Sequence, residues 1–130
     1  MNREEVEFDM SEIVNLQPGT FAYLGTPYSK YRGGLDAAAS EAARIAANLL
    51  KRGVIVYSPI AHSHAVAEAG TIDPVDHDLW VRADAPFVQA ASALIVATMD
   101  GWQESRGLAH EIAAFTAAGK PVVYLDPEEA

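Results

Sequence analysis

The chain lacks cysteine, has few basic residues and contains no long apolar run. The absence of cysteine excludes disulfides and thiolate zinc sites, and it fits a reducing compartment. Nine Lys and Arg against eighteen Asp and Glu give a net charge of −9, which argues against binding to a nucleic-acid backbone. No apolar segment is long enough to span a membrane, and the charged first ten residues do not resemble a signal peptide. We therefore expect a cytoplasmic protein that binds neither membrane nor nucleic acid.

The length and composition predict a single folded domain preceded by an extension. A chain of 130 residues, 50% of them hydrophobic, can bury a substantial core. Residues 1–19 are acidic and end in Pro18-Gly19, so we interpret them as an extension that packs loosely or on a partner subunit. The domain is expected to occupy residues 20–130, without an internal repeat.

Apolar runs alternate with helical patterns along the domain, which predicts an α/β fold with a mainly parallel sheet. The expected architecture is a Rossmann-like or flavodoxin-like three-layer sandwich with four to five strands. A helix over residues 35–52 carries an apolar stripe and ends at Gly53, and another begins at Ser105 and ends at Gly119. Residues 60–74 are predicted to be a loop, followed by helical material to residue 91 that Pro86 kinks or divides. The predicted strands are residues 20–25, 54–57, 92–98 and 121–125.

Polar and glycine-rich segments follow three of the predicted strands. They comprise residues 25–34, 58–64 and 99–105. In a parallel sheet these three loops emerge at the same edge, where ligands of α/β proteins bind. The sequence therefore predicts one ligand cleft lined by all three loops.

Glu111 is the foremost candidate for chemistry. It lies in the second turn of the helix that follows Ser105, beside the apolar stripe of Leu108, Ile112 and Phe115. An acid near a helix N-terminus is favoured by the helix dipole and needs no functional reason. The same dipole would keep the carboxylate ionised, as a nucleophile requires, and Gly107 one turn earlier leaves room for a ligand. Both interpretations remain open at this point.

Other candidates also have structural alternatives. Asp84 precedes Pro86 by two residues and could cap a helical turn. Ser105 is expected to be an N-cap, and capping leaves free backbone amides that can face an anion. Asp100 and Trp102 could be turn and packing residues, although a tryptophan in such a loop can also stack on a base.

The sequence contains possible metal ligands but no recognised catalytic or nucleotide-binding motif. His62 and His64 could point the same way on a strand extension, and acidic residues follow at Asp73, Asp76 and Asp78, with His77 among them. No recognised ligand spacing is present, so a metal-dependent hydrolase is the least favoured function. A dinucleotide fingerprint, a P-loop and a G-x-S-x-G elbow are also absent from the sequence.

The order of several short motifs resembles the nucleoside 2-deoxyribosyltransferase superfamily, which includes the 2'-deoxynucleoside 5'-phosphate N-hydrolases. The similarity spans residues 21–125 and looks closest to an uncharacterised bacterial branch. It is carried by Tyr23-Leu-Gly-Thr-Pro-Tyr28, by Trp80, Asp84 and Phe87, by Met99-Asp-Gly-Trp102, by Ser105-x-Gly-x-x-x-Glu111 and by Gly119-Lys-Pro121.

This resemblance implies a catalytic role for three residues. Glu111 would attack the anomeric carbon of a sugar, Asp84 would protonate the departing base or position the sugar, and Tyr23 would lie beside the nucleophile. Substrate binding would involve Gly25, Thr26, Pro27 and Tyr28, together with Asp100, Trp102, Ser105 and Gly107 in the later loop.

The resemblance further implies that no cofactor or metal is needed and that the protein forms a homo-oligomer, either a dimer or a tetramer. Any 5'-phosphate would be bound with help from Lys30, Arg32 or Arg106. The expected function is cleavage or transfer at the N-glycosidic bond of a nucleoside or nucleoside 5'-monophosphate through a covalent glycosyl-glutamate intermediate. The alternative is a module that binds a nucleotide or a nucleotide-like metabolite without turning it over.

Overall fold

The computed structural model describes residues 20–130, and the predicted extension lies outside them. Four parallel strands form one sheet in the order β2-β1-β3-β4. The strands are β1 (Ala22–Gly25), β2 (Val56–Tyr57), β3 (Ala93–Ala97) and β4 (Val122–Leu125). The helices are α1 (Leu35–Lys51), α2 (Pro59–Gly70), α3 (His77–Ala90) and α4 (Arg106–Ala117). The expected α/β fold of Rossmann or flavodoxin type is confirmed.

Alternation along the strands divides the core between the two faces of the sheet. On β1, Ala22 and Leu24 pack in a cluster with Ile45 and Leu49 of α1. Tyr23 points to the opposite face and packs with Leu108 and Phe115 of α4. Because successive side chains of a strand point to opposite faces, this period-two pattern places the Tyr23 side chain on the α4 side. The sheet is thus the middle layer of three.

The segment after β2 differs from the sequence prediction. Residues 60–74 were expected to be a loop, but α2 occupies most of them. The Ser58 side chain caps this helix by accepting a hydrogen bond from the Ala61 amide at 3.3 Å, and Pro59 stands in its first turn. The prediction of a loop was wrong because Ser58-Pro59 begins a helix as readily as it ends a strand.

Helix α3 also corrects the sequence analysis. It runs unbroken from His77 to Ala90 with Pro86 inside it, and its N-cap is Asp76. Pro86 therefore does not divide the helix, and Asp84 is an interior residue and not a cap. By contrast, the Ser105 side chain accepts a hydrogen bond from the Leu108 amide at 3.2 Å, so its predicted role as the N-cap of α4 is confirmed. Among residues 20–130, no helix combines the length and apolar character needed to cross a membrane.

Candidate active site

A cavity of about 510 Å³ opens beside the carboxyl ends of the strands. The loop after β1 contributes Thr26 and Tyr28, and α2 contributes Ser63. Helix α3 supplies one wall, and the first turns of α4 supply another. The three segments that follow β1, β2 and β3 therefore line one cavity, as expected for the ligand-binding edge of a parallel sheet.

Two carboxyl groups and a phenol meet inside this cavity. The Tyr23 hydroxyl donates a hydrogen bond of 2.8 Å to Oε2 of Glu111. Asp84 lies near both residues, because the Tyr23 hydroxyl lowers the pKa of Asp84 and the charge of Asp84 raises the pKa of Glu111. The three residues predicted to be catalytic come from β1, α3 and α4, and the structure brings them together.

Burial has the largest effect on the pKa of Glu111. The residue is partly exposed to the cavity, but its carboxyl group is surrounded by protein atoms, which raises its pKa to about 8. The hydrogen bond from Tyr23 lowers this pKa, and the charge of Asp84 raises it. The expectation that the helix dipole keeps Glu111 ionised was therefore wrong, since desolvation outweighs any such favourable field.

Asp84 is affected in the same direction but less strongly. Burial raises its pKa to about 6, while the charge of His62 and a hydrogen bond from Tyr23 lower it. The two carboxyl groups thus carry one proton between them over the interval from about pH 6 to about pH 8. The charges of both also act on Tyr23, whose pKa is raised chiefly by burial, so its phenol stays protonated.

The cavity also offers donors to an anion. Thr26 is only 5% exposed, and its Oγ1 has no hydrogen-bond partner among the described residues. It lines the cavity together with Lys30, Ser105, Arg106 and Gly107. Because the first amides of α4 have no partner within that helix, they add a positive dipole end to the two cationic side chains.

Gly25 and Pro27 support the site without lining the cavity. A Cβ atom at Gly25 would lie 3.0 Å from Oε1 of Glu111, so the missing side chain makes space for the carboxyl group. Pro27 is fully buried. Neither residue lines the cavity, so the predicted contribution of Gly25 and Pro27 to substrate binding is limited to shaping the space around the site.

Asp100 and Trp102 were predicted to bind substrate, but neither lines the cavity. Asp100 forms an exposed ion pair of 3.5 Å with Arg32. Trp102 packs against Tyr124 with 5.6 Å between ring centroids and belongs to the core on the α4 side of the sheet. Their roles in this structure are the turn and packing roles that the sequence analysis gave as alternatives.

The aromatic wall of the cavity comes instead from α3. Trp80 lies one helical turn before Asp84, so the two side chains share a face. The Trp80 indole nitrogen donates a hydrogen bond of 3.0 Å to the carbonyl of Asp73, which holds the ring in place. His77 and His110 also line the cavity, with ring centroids 6.2 Å apart. The i, i+4 spacing of Trp80 and Asp84 was the signal that could have identified this wall.

The two histidines considered as metal ligands point to different partners. His62 and His64 lie two residues apart on α2, and a helix directs such side chains apart. The Nδ1 atom of His62 is 3.3 Å from the Tyr57 hydroxyl, and that of His64 is 2.6 Å from the Tyr28 hydroxyl. Among residues 20–130, the group with metal-compatible geometry is Asp36, His64 and Glu68, whose ligand atoms all lie within 4.8 Å of one another.

Comparison with known protein families matches residues 20–126 to the family described as a domain of unknown function, DUF1937. The chain belongs to this family. The matched range contains all four strands and all four helices of the described residues, together with every residue of the cavity. No curated protein matches the chain.

Proposed function

We propose that the protein cleaves or transfers the base of a nucleoside or nucleoside 5'-monophosphate at its N-glycosidic bond. The observation that carries the proposal is the contact between Tyr23 and Glu111 beside Asp84 in one cavity. A carboxylate below a sugar ring stabilises an oxocarbenium-like transition state, and a second acid assists departure of the base. The cavity volume also falls within the range of small-molecule sites.

The reaction would proceed in two displacements. In the first, a Glu111 oxygen forms a bond to the anomeric carbon while the bond to the base nitrogen breaks, and a proton from Asp84 accompanies the departing base. In the second, water or another base forms the new bond to the anomeric carbon, and the electrons of the glycosyl–Glu111 bond return to the carboxylate. The acceptor determines whether the outcome is hydrolysis or transfer.

The first displacement requires the shared proton to move from Glu111 to Asp84. The reactive form needs Glu111 ionised and Asp84 protonated, which has the same total charge as the form with the proton on Glu111. The Tyr23 hydroxyl contacts both groups, so it can pass the proton between them. Tyr23 would therefore take part in the proton transfer between Glu111 and Asp84.

The donors around Thr26 support a phosphorylated substrate. A 5'-phosphate beside these donors would satisfy the unpartnered Thr26 hydroxyl and the α4 amides, with Lys30 and Arg106 balancing its charge. Trp80, on the wall that carries Asp84, would contact the base.

The test is a chromatographic search for free base after incubation with ribo- and deoxyribonucleosides and their 5'-monophosphates, with and without a second base. We expect base release by the wild-type protein and none by Glu111→Ala, with both folded. Thr26→Val should raise the KM of the monophosphate and leave that of the nucleoside unchanged. Equal turnover by the Glu111→Ala variant would contradict the proposal.

A second candidate is a module that binds a nucleotide without turning it over. It is favoured by the pKa of about 8 for Glu111, because a protonated carboxyl donates a hydrogen bond to a ligand more readily than it attacks a sugar. Saturable binding in calorimetry, with no product after long incubation at high protein concentration, would select this candidate.

A further inference from the structure

A second chain of hydrogen bonds leads from the cavity to solvent, away from the two carboxyl groups. Tyr28 lines the cavity, and its hydroxyl is 2.6 Å from Nδ1 of His64. Nε2 of His64 lies 2.8 Å from Oδ1 of Asp36. The Asp36 side chain is 88% exposed and the His64 side chain 16%, so the outer end of the chain reaches water.

The chemistry of the partners sets the direction of these hydrogen bonds. An ionised carboxylate only accepts, so the short contact to Asp36 places a hydrogen on Nε2 of His64. In neutral His64 the Nδ1 atom then carries the lone pair, and the Tyr28 hydroxyl must donate to it. The Tyr28 oxygen is left with its own lone pairs available to a molecule in the cavity. A carboxylate, an imidazole and a hydroxyl in this order have the polarity of a catalytic triad.

We propose that Tyr28, His64 and Asp36 form a proton relay that removes the proton of the acceptor in the second displacement. This inference rests on the proposed function. As the acceptor oxygen or nitrogen bonds to the anomeric carbon, its proton passes to the Tyr28 oxygen, and the Tyr28 proton passes to Nδ1 of His64. The glycosyl–Glu111 bond breaks and leaves a carboxylate. The imidazolium is stabilised by Asp36 and by Glu68, whose carboxylate lies 4.0 Å from Nε2, and it then loses its extra proton to water. Asp84, left as a carboxylate by the first displacement, regains a proton from water before the next turnover.

The relay assigns different residues to the two halves of the reaction. Asp84 and Glu111 act on the base that leaves, whereas Tyr28 acts on the molecule that arrives. Tyr28 suits a relay and not a stable base, because burial and the charges of Asp36 and Glu68 raise its pKa and keep the phenol protonated between transfers. Tyr28 touches the acceptor, and His64 and Asp36 are positioning residues that act through it.

The test separates the two displacements in single-turnover experiments on the full chain, using whichever nucleoside or monophosphate of the panel the wild type cleaves fastest. Released base reports the first displacement, and the mass of intact protein reports the glycosyl-enzyme. We expect Tyr28→Phe and His64→Gln to slow the release of the first equivalent of base much less than they slow the loss of the glycosyl-enzyme. Both variants should then lose the glycosyl-enzyme at least about tenfold more slowly than the wild type. This lower limit lies below the usual contribution of general acid–base catalysis.

Matched controls distinguish the relay from a structural role. Tyr31→Phe removes a hydroxyl from the same loop but outside the cavity, and it should behave as wild type. His64→Gln keeps an acceptor for Tyr28 but cannot take up its proton.

Each contrary outcome points to a different error. If the wild type turns over substrate and the second step is unchanged in Tyr28→Phe, the relay is wrong and the proposed function is unaffected. Loss of wild-type activity on addition of a chelator would overturn it in favour of a metal held by Asp36, His64 and Glu68. Absence of any base release by the wild type would show that the proposed function is wrong, and the relay with it.

Discussion

At the scale of single residues, the Tyr23 hydroxyl lies between two acidic side chains whose pKa values are raised by burial. A phenol has one proton to donate, so it cannot serve both carboxylates at once. When Glu111 is protonated it can donate to the Tyr23 oxygen while Tyr23 donates to Asp84. The three groups thus function as one titrating unit, in which the position of the proton depends on the ligand.

This unit predicts a bell-shaped pH dependence of kcat/KM for base release, with half-maximal points at about pH 6 and about pH 8. Below about pH 6 both carboxyl groups are protonated and the nucleophile is absent. Above about pH 8 both are ionised and the acid is absent. The measurement is the initial rate of base release from pH 5 to 9. His62→Gln should move the acidic limb upward, because His62 lowers the pKa of Asp84; a rate that only rises with pH would contradict the assignment.

Glu111 is also expected to affect stability with pH. Its folded pKa of about 8 lies above the ordinary value of 4.5, so the folded state binds the proton more tightly. The stability that this provides is complete below about pH 4.5 and is lost as pH rises to about 8. Glu111→Gln should therefore exceed the wild type in free energy of unfolding by more than about 1 kcal/mol at pH 8.5, with a smaller difference at pH 5.

Denaturant titrations at the two pH values check this expectation. Glu104→Gln makes the same chemical change at an exposed position and should show no such pH-dependent gain. A Glu111→Gln variant that is less stable than the wild type at pH 8.5 would mean that the buried carboxylate is better solvated than its surroundings suggest.

At the scale of elements, the absence of a side chain at Gly101 allows the loops after β1 and β3 to pack closely together. Gly101 has a φ of 84°, and a Cβ atom there would collide with the backbone carbonyl of Lys30. This contact holds the segment with Tyr28 and Lys30 against the segment that leads to Ser105. The geometry of the cavity near Lys30 and Ser105 thus depends on Gly101, which does not itself line the cavity.

Gly101→Ala is expected to lower the free energy of unfolding and to raise the KM for substrate. Gly53→Ala is the matched control, because Gly53 has nearly the same φ of 86° and open space where its Cβ would lie. Both variants bear the cost of a left-handed alanine, about 1–2 kcal/mol. Thermal melts and kinetics should show a further loss in Gly101→Ala alone; equal effects would mean that the loop contact adds nothing.

Most helices and strands could be predicted from the sequence, but one helix and part of the site could not. Periodicity and capping signals predict the four strands together with α1 and α4, because these elements carry apolar residues in a regular pattern and end near glycine or serine. Helical structure was also expected over α3, although this helix has no buried residue. Helix α2 was missed because its small residues and histidines form no clear apolar stripe. Glu111, Asp84 and Tyr23 meet as the resemblance implies, but Trp102 does not reach the cavity. Local pattern cannot distinguish a tryptophan that packs on Tyr124 from one that faces a ligand, since only tertiary packing decides.

At the scale of the whole molecule, the cavity is assembled from distant parts of the chain. The hydrogen bond between Tyr23 and Glu111 joins residues 88 positions apart, and Asp84 comes from a third element. None of these groups is near the others until the sheet and both flanking helices are in place. The site is therefore a property of the complete domain. Homo-oligomerisation and a cytoplasmic location remain predictions of the sequence analysis.

Because Tyr23 and Glu111 lie far apart in the sequence and meet only in the folded domain, thermal denaturation can be used to search for the ligand. A molecule that contacts β1, α3 and α4 together binds only the folded domain, so its binding energy opposes global unfolding. At a hundred times its Kd it would add about 2.7 kcal/mol, which is several degrees of melting temperature for a domain of this size. Metabolites can thus be ranked by thermal shift before any reaction is known, and a compound that raises the melting temperature of Glu111→Gln is identified as a ligand of the folded domain.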